Sequence, residues 1–188
     1  MTPTDEQLRE AYCRTGDQQP ASELVRRYLP RVRRIIFPMV LDHSTADDLS
    51  QEVMIRAIGG LSGFNGQASL STWVTRIALN ATYTFLQKQK RQSAAPLPDV
   101  AVDKSFDRSP VHVAIGNELN TRIRSSLDEL TPKLRAAIVL TAMNGVSPSE
   151  AAEIEECTVS TMHWRIHEAR KQLRTQLKEY VTDEGDEQ

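Results

Sequence analysis

The sequence predicts an all-α protein of two small helical domains joined by a flexible linker, the C-terminal one a helix-turn-helix bundle. Apolar residues recur at steps of three and four through most of the chain, and no convincing run alternates apolar and polar residues as a half-buried strand would. Between 93 and 110, Pro96, Pro98 and Pro110 lie among small and mixed-charge residues with no sustained period, the pattern of a linker. Beyond it, two short capped helical segments flank a three-residue turn, Glu155–Cys157. The expected division is 1–92 for the N-terminal helical domain, 93–110 for the linker, 111–180 for the C-terminal domain and 181–188 for an acidic tail.

A length of 188 residues with 39% hydrophobic content supports two modest cores. The stretch from Met1 to Pro20 is polar, so no signal peptide is expected, and charges interrupt every apolar patch that could span a membrane. Cys13 and Cys157 stand far apart and form no CxxC pair, which points to a reduced, cytoplasmic setting.

Net charge is −2, but it is unevenly spread. From Ser22 to Arg91 ten Lys/Arg face five acids, and from Val159 to Lys178 five face one. Acids gather at the ends, including Asp183, Glu184, Asp186 and Glu187. Two basic segments with acidic termini fit two nucleic-acid contacts in one chain.

In order, Thr4 to Thr15 reads as a polar helix ending near Gly16. A second helix carries Leu24, Tyr28, Val32, Ile35, Ile36 and Met39 on one stripe, with a kink or break expected at Pro30 or Pro38. A third opens with Ser44 or Thr45 as N-cap and places Asp47 and Asp48 in its first turn, where the helix dipole favours them. Leu49, Val53 and Ile58 form its buried side. A glycine-rich loop follows, carrying Phe64, Asn65 and Gln67 but lacking the GK[ST] ending of a phosphate loop.

The helix from Leu70 to Arg91 has two unlike faces. Leu70, Trp73, Val74, Ile77, Ala81 and Phe85 make the apolar stripe. Thr72, Arg76, Asn80, Tyr83, Gln87 and Lys90 fall opposite, with Lys88 in the same basic stretch. That face holds no carboxylate. Cations suit phosphates, amides suit base edges, and a ring offers a stacking surface for an unpaired base.

In the C-terminal half, helical pattern returns from Val111 to Leu127 and from Pro132 to Met143. Ser147 caps a short helix, Pro148–Ile154, with Glu150 in capping-box position. Thr158 caps a second helix whose inward stripe is Val159, Met162, Ile166, Ala169 and Leu173. Its N-terminal part, where a recognition helix meets base edges, offers Ser160, Thr161, His163, Trp164, Arg165 and His167, with Lys171 further along. His163 and His167 have the i, i+4 spacing of a ligand pair, but neither HExxH nor paired Cys/His spacing occurs. No catalytic constellation, cofactor or metal site is expected.

These pieces together resemble bacterial RNA polymerase sigma factors of the extracytoplasmic-function (ECF) type. GDQQPASELVRRYLPRV followed by ADDLSQEVMIRAI is similar to the family's first helices and polymerase-binding helix. STWVTRIALNATYTFL is similar to its −10 promoter helix, and LDELTPKLRAAIVLTAMNGVSPSEAAEIEECTVSTMHWRIHEARKQL to its −35-binding domain. The resemblance implies core RNA polymerase as partner, through the β′ clamp helices and the β flap, together with promoter DNA and an anti-sigma factor. It makes Asp47, Asp48, Leu49, Gln51 and Glu52 the docking segment, with Leu49 serving as core. It makes Phe64, Asn65 and Gln67 the pocket for a flipped base, and assigns −35 duplex reading to the second motif helix.

This sequence departs from the family pattern at Glu156, where the turn usually has Gly, and at His163, Trp164 and Glu168 in the recognition helix. Two other readings remain open on the residues. One is a helix-turn-helix regulator that acts without polymerase, and the other is a sigma-like interaction adaptor.

Overall fold

Local side chains set the helix ends. In the computed structural model, which describes residues 2–94 and 114–178, every regular element is helical. The acidic tail and nearly all of the expected linker lie outside these residues. Helix α1 (Asp5–Thr15) begins at a reciprocal capping box between Thr4 and Gln7 and ends where Gly16 adopts φ 68°.

Helix α2 (Gln18–Val40) runs unbroken through Pro30 and Pro38, where a kink or break was expected. Each proline removes one backbone donor. Packing against α1, α3 and α4 along one continuous buried face offsets that loss: Leu24, Tyr28, Val32, Ile35, Ile36 and Met39 are all buried.

Helix α3 (His43–Gly60) starts earlier than the sequence suggests. Asp42, not Ser44 or Thr45, is its cap, its carboxylate accepting from the Thr45 amide at 2.7 Å. Asp47 and Asp48 therefore lie beyond the first turn, and the cap's own charge meets the helix dipole. A single 3-10 turn (Leu61–Gly63) leads into the loop before α4 (Leu70–Ala94). A Cβ on Gly60 would stand 3.3 Å from the Trp73 ring, so this turn needs a bare backbone. Leu49, Val53, Ala57, Leu70, Val74, Ala78 and Ala81 close the N-terminal core.

The C-terminal bundle holds α5 (Ala114–Glu129), α6 (Pro132–Ile138), α7 (Pro148–Ile154) and α8 (Val159–Gln176). Between α6 and α7 the chain widens into one π-helical turn, Val139–Met143, instead of continuing as α-helix to Met143. Asn144 supports that turn by donating to the Val139 carbonyl at 2.7 Å. Ser147 and Thr158 cap α7 and α8 as expected. Met162, Ile166 and Ala169 point inward, but Val159 is 45% exposed, because the first turn of α8 projects past the core.

The second core crosses the domain boundary. Ile35 and Met39 of α2 and Leu79 of α4 pack in one cluster with Ala136, Leu140, Ala151 and Met162. Arg135, 4% exposed, donates to the Met39 carbonyl at 2.6 Å and to the Asp128 carbonyl at 2.8 Å. It thereby caps the end of α2 from the other domain. Burial lowers its pKa, opposed by the bond to the Asp128 carboxylate.

Candidate nucleic-acid interface

On α3 the spacing i, i+3, i+4, i+7 brings Asp48, Gln51, Glu52 and Ile55 onto one exposed strip. Ile55 is 74% exposed, a large apolar side chain with no cover. Leu49 lies beneath in the core. Asp47 pairs with Arg33, and Glu52 with Arg56 one turn on, while Asp48 has no ion-pair partner among the described residues. Half-exposed pairs of this kind are weak and readily exchanged for others.

Ahead of α4, Asn65 folds back on its loop, Oδ1 accepting from the Gln67 amide at 3.1 Å, and both side chains are exposed. Phe64 is not free beside them. Its ring packs against Trp73 with centroids 5.3 Å apart, and the Arg9 guanidinium lies 5.8 Å from it.

Helix α4 is buried on more than its apolar stripe. Thr72, expected on the open face, is 3% exposed: its hydroxyl lies 2.9 Å from Ser69 Oγ, which accepts from the Thr72 amide. The threonine belongs to the helix start. Asn80, Gln87 and Lys88 are exposed as expected. Arg76 and Tyr83 turn toward the C-terminal domain. Arg76 donates to the Glu153 carbonyl at 2.7 Å, and the Tyr83 hydroxyl to Glu155 Oε1 at 2.7 Å.

Glu155 was not singled out by the sequence pattern, since a turn residue carries no periodic signal. Its side chain is 2% exposed, and it also accepts from Lys133 Nζ at 2.8 Å and Arg165 Nη1 at 2.9 Å. Lys133 lies 4.1 Å from the Tyr83 ring centroid, over its face. Burial, then the Glu155 charge, pushes the Tyr83 pKa well above the usual phenol range, so the hydroxyl stays a donor.

On α8, Ser160, His163, Trp164, His167 and Lys171 are exposed, with Trp164 60% open to solvent, and Thr161 is half-buried beside its cap. Arg165 departs from the expected base-reading set. It is 16% exposed and held by Glu155, so it braces the turn. Exposed hydrogen-bonding groups and an aromatic ring on one helix can read a groove, with Arg170, Lys171 and Arg174 set for phosphates further along.

Comparison with known proteins agrees with this layout. The Sigma-70 region 2 family matches residues 24–92, and the Sigma-70, region 4 family matches residues 120–173. The RNA polymerase sigma-H factor of Pseudomonas aeruginosa is 30% identical over 93% of this chain and 94% of its own length. The ECF RNA polymerase sigma-E factor of Escherichia coli K12 is 28% identical over 95% and 96% respectively. Among solved structures, CnrH in complex with the cytosolic domain of CnrY shares the fold at TM-score 0.69 and 23% identity, covering 95% of this chain and 100% of that one. The sigma factor RpoE in complex with the anti-sigma factor NepR from Bartonella quintana matches at TM-score 0.64 and 24% identity, over 84% and 96%. With a relative of such identity aligned along almost its whole length, and both conserved family regions in order, the chain belongs to the RNA polymerase sigma factors of the ECF type.

Proposed function

We propose that this chain binds core RNA polymerase in the cytoplasm and directs it to a subset of promoters. Its own residues do no bond chemistry. Helix α3 docks on the basic β′ clamp helices through Asp48, Gln51 and Glu52, with Ile55 adding apolar contact and the β flap receiving the C-terminal domain. Helix α8 reads −35 duplex in the major groove through Ser160, His163, Trp164 and His167. The loop at Asn65 and Gln67 and the face of α4 hold unpaired −10 bases, so binding favours melted over duplex DNA.

The observation that carries this reading is the exposed α3 strip, where three polar side chains flank an isoleucine 74% open to solvent. An anti-sigma factor is the proposed regulator, because the sigma factor RpoE resembling this fold is held by one. The test is run-off transcription with purified core polymerase. Specific initiation dependent on this chain supports the reading, and initiation identical with and without it refutes it.

A further inference from the structure

Residues 76, 79, 83 and 86 form one stripe along α4, and the whole stripe faces α7 and the turn after it. Leu79 is 1% exposed and packs with Ala151, Ala152 and Ile154, beside Tyr83 and Leu86. Arg76 lies 3.6 Å from the Glu153 carboxylate and 4.0 Å from that of Glu156, besides its bond to the Glu153 carbonyl. Tyr83 donates to Glu155. The turn thus presents three carboxylates, Glu153, Glu155 and Glu156, to a helix face that has none.

We infer that the turn Glu153–Glu156 is the intramolecular occupant of α4's nucleic-acid face, and that the closed chain is self-inhibited toward DNA. Its oxygens stand against Arg76 and Tyr83 as phosphate and base acceptors would. The inference rests on the reading of α4 as the −10 helix. Glu155 strengthens it, because the same carboxylate holds Tyr83 of one domain and Arg165 of the other. The α3 strip stays uncovered in this conformation. Polymerase can therefore dock first and shift the population toward the open form, while DNA affinity of the free chain is reduced by the small open fraction.

The experiment uses the full chain with Cys13→Ser and Cys157→Ser, spin-labelled through Ser62→Cys and Ala142→Cys, both exposed sites. Double electron–electron resonance should give one narrow interdomain distance. Glu153→Arg with Glu156→Arg should broaden it by repelling Arg76, and adding Arg76→Glu should narrow it again. A broad distribution in the starting chain, or a narrow one retained by the double arginine variant, overturns closure. In parallel, Leu79→Gln and Leu79→Ala are titrated against a fluorescein-labelled single-stranded oligodeoxynucleotide of mixed sequence. About tenfold tighter binding is expected on opening. Opening of either folded Leu79 variant, read from the same spin-label pair, without any gain in oligonucleotide binding overturns the −10 reading of α4 and the occlusion with it, while closure stands.

Discussion

The Tyr83 hydroxyl and the Glu155 carboxylate, 72 positions apart in the chain, meet at 2.7 Å across the domain boundary. Tyr83→Phe removes that bond alone, since Lys133 and Arg165 still hold Glu155. A charge-assisted hydrogen bond contributes about 1.5–3 kcal/mol. The expected result is a loss of this order in urea unfolding of the full chain. An unchanged midpoint would mean that the contact contributes nothing to the closed form.

Docking is tested on the α3 strip. Asp48→Lys with Glu52→Lys changes two exposed side chains, so helicity should hold. Cations facing a basic clamp repel, and the variant should no longer compete for core polymerase. Normal competition would remove α3 from the interface.

The recognition helix separates phosphate from base contacts. Glu168 is half-buried and accepts from Gln172 at 2.8 Å, so Glu168→Arg exchanges a local bond for a cation. It should tighten duplex binding across sequences and steepen its salt dependence by about one counterion. His163→Ala should instead alter which −35 base is preferred. Arg165→Ala should lower stability without changing base preference, because Glu155 loses a buried partner. A salt titration and a base-substitution series on the holoenzyme would distinguish these outcomes.

Asp42 links stability to acid. Its hydrogen bonds to Thr45 depress its pKa below the ordinary 3.8. A carboxylate lowered on folding stabilises above its unfolded value, and the contribution disappears as pH falls through the folded one. Asp42→Ala should cost about 1 kcal/mol at neutral pH. That gap should close below about pH 4. A gap independent of pH would show that the cap does not act through its charge.

The helix-turn-helix turn carries strain. Glu156 adopts φ 50°, where a side chain costs about 1–2 kcal/mol and glycine does not. Glu156→Gly should stabilise the chain by about 1 kcal/mol, after allowance for glycine's freedom when unfolded. Glu156→Val should destabilise it. Thermal unfolding of the pair gives the sign directly.

Helices and caps were legible in the sequence where their causes are local. Thr4, Ser147 and Thr158 each bond an amide within three residues, and the stripe through Met162, Ile166 and Ala169 repeats at helical spacing. Asp42 was missed because Ser44 and Thr45 are equally good caps by type. Thr72 looked like part of a polar face, yet its hydroxyl serves the helix start. Arg76, Tyr83 and Arg165 have the right chemistry for DNA, and their partners lie in the turn between α7 and α8. Periodicity shows which side of a helix is polar. It does not show which polar residues another domain will claim.

The wide turn at Val139–Met143 makes chain length a determinant of aim. A π-helical turn accommodates one residue more than the α-helix around it. Loss of a single residue there would restore ordinary winding and swing everything downstream by about 100° about the helix axis. Trp164 and His163 would then face a different quarter of the molecule with their own sequence untouched. Within this family member the phasing of the reading head is thus set by an insertion some twenty residues upstream of it, and related chains that lack the extra residue would have to recover the same bearing through a different connection.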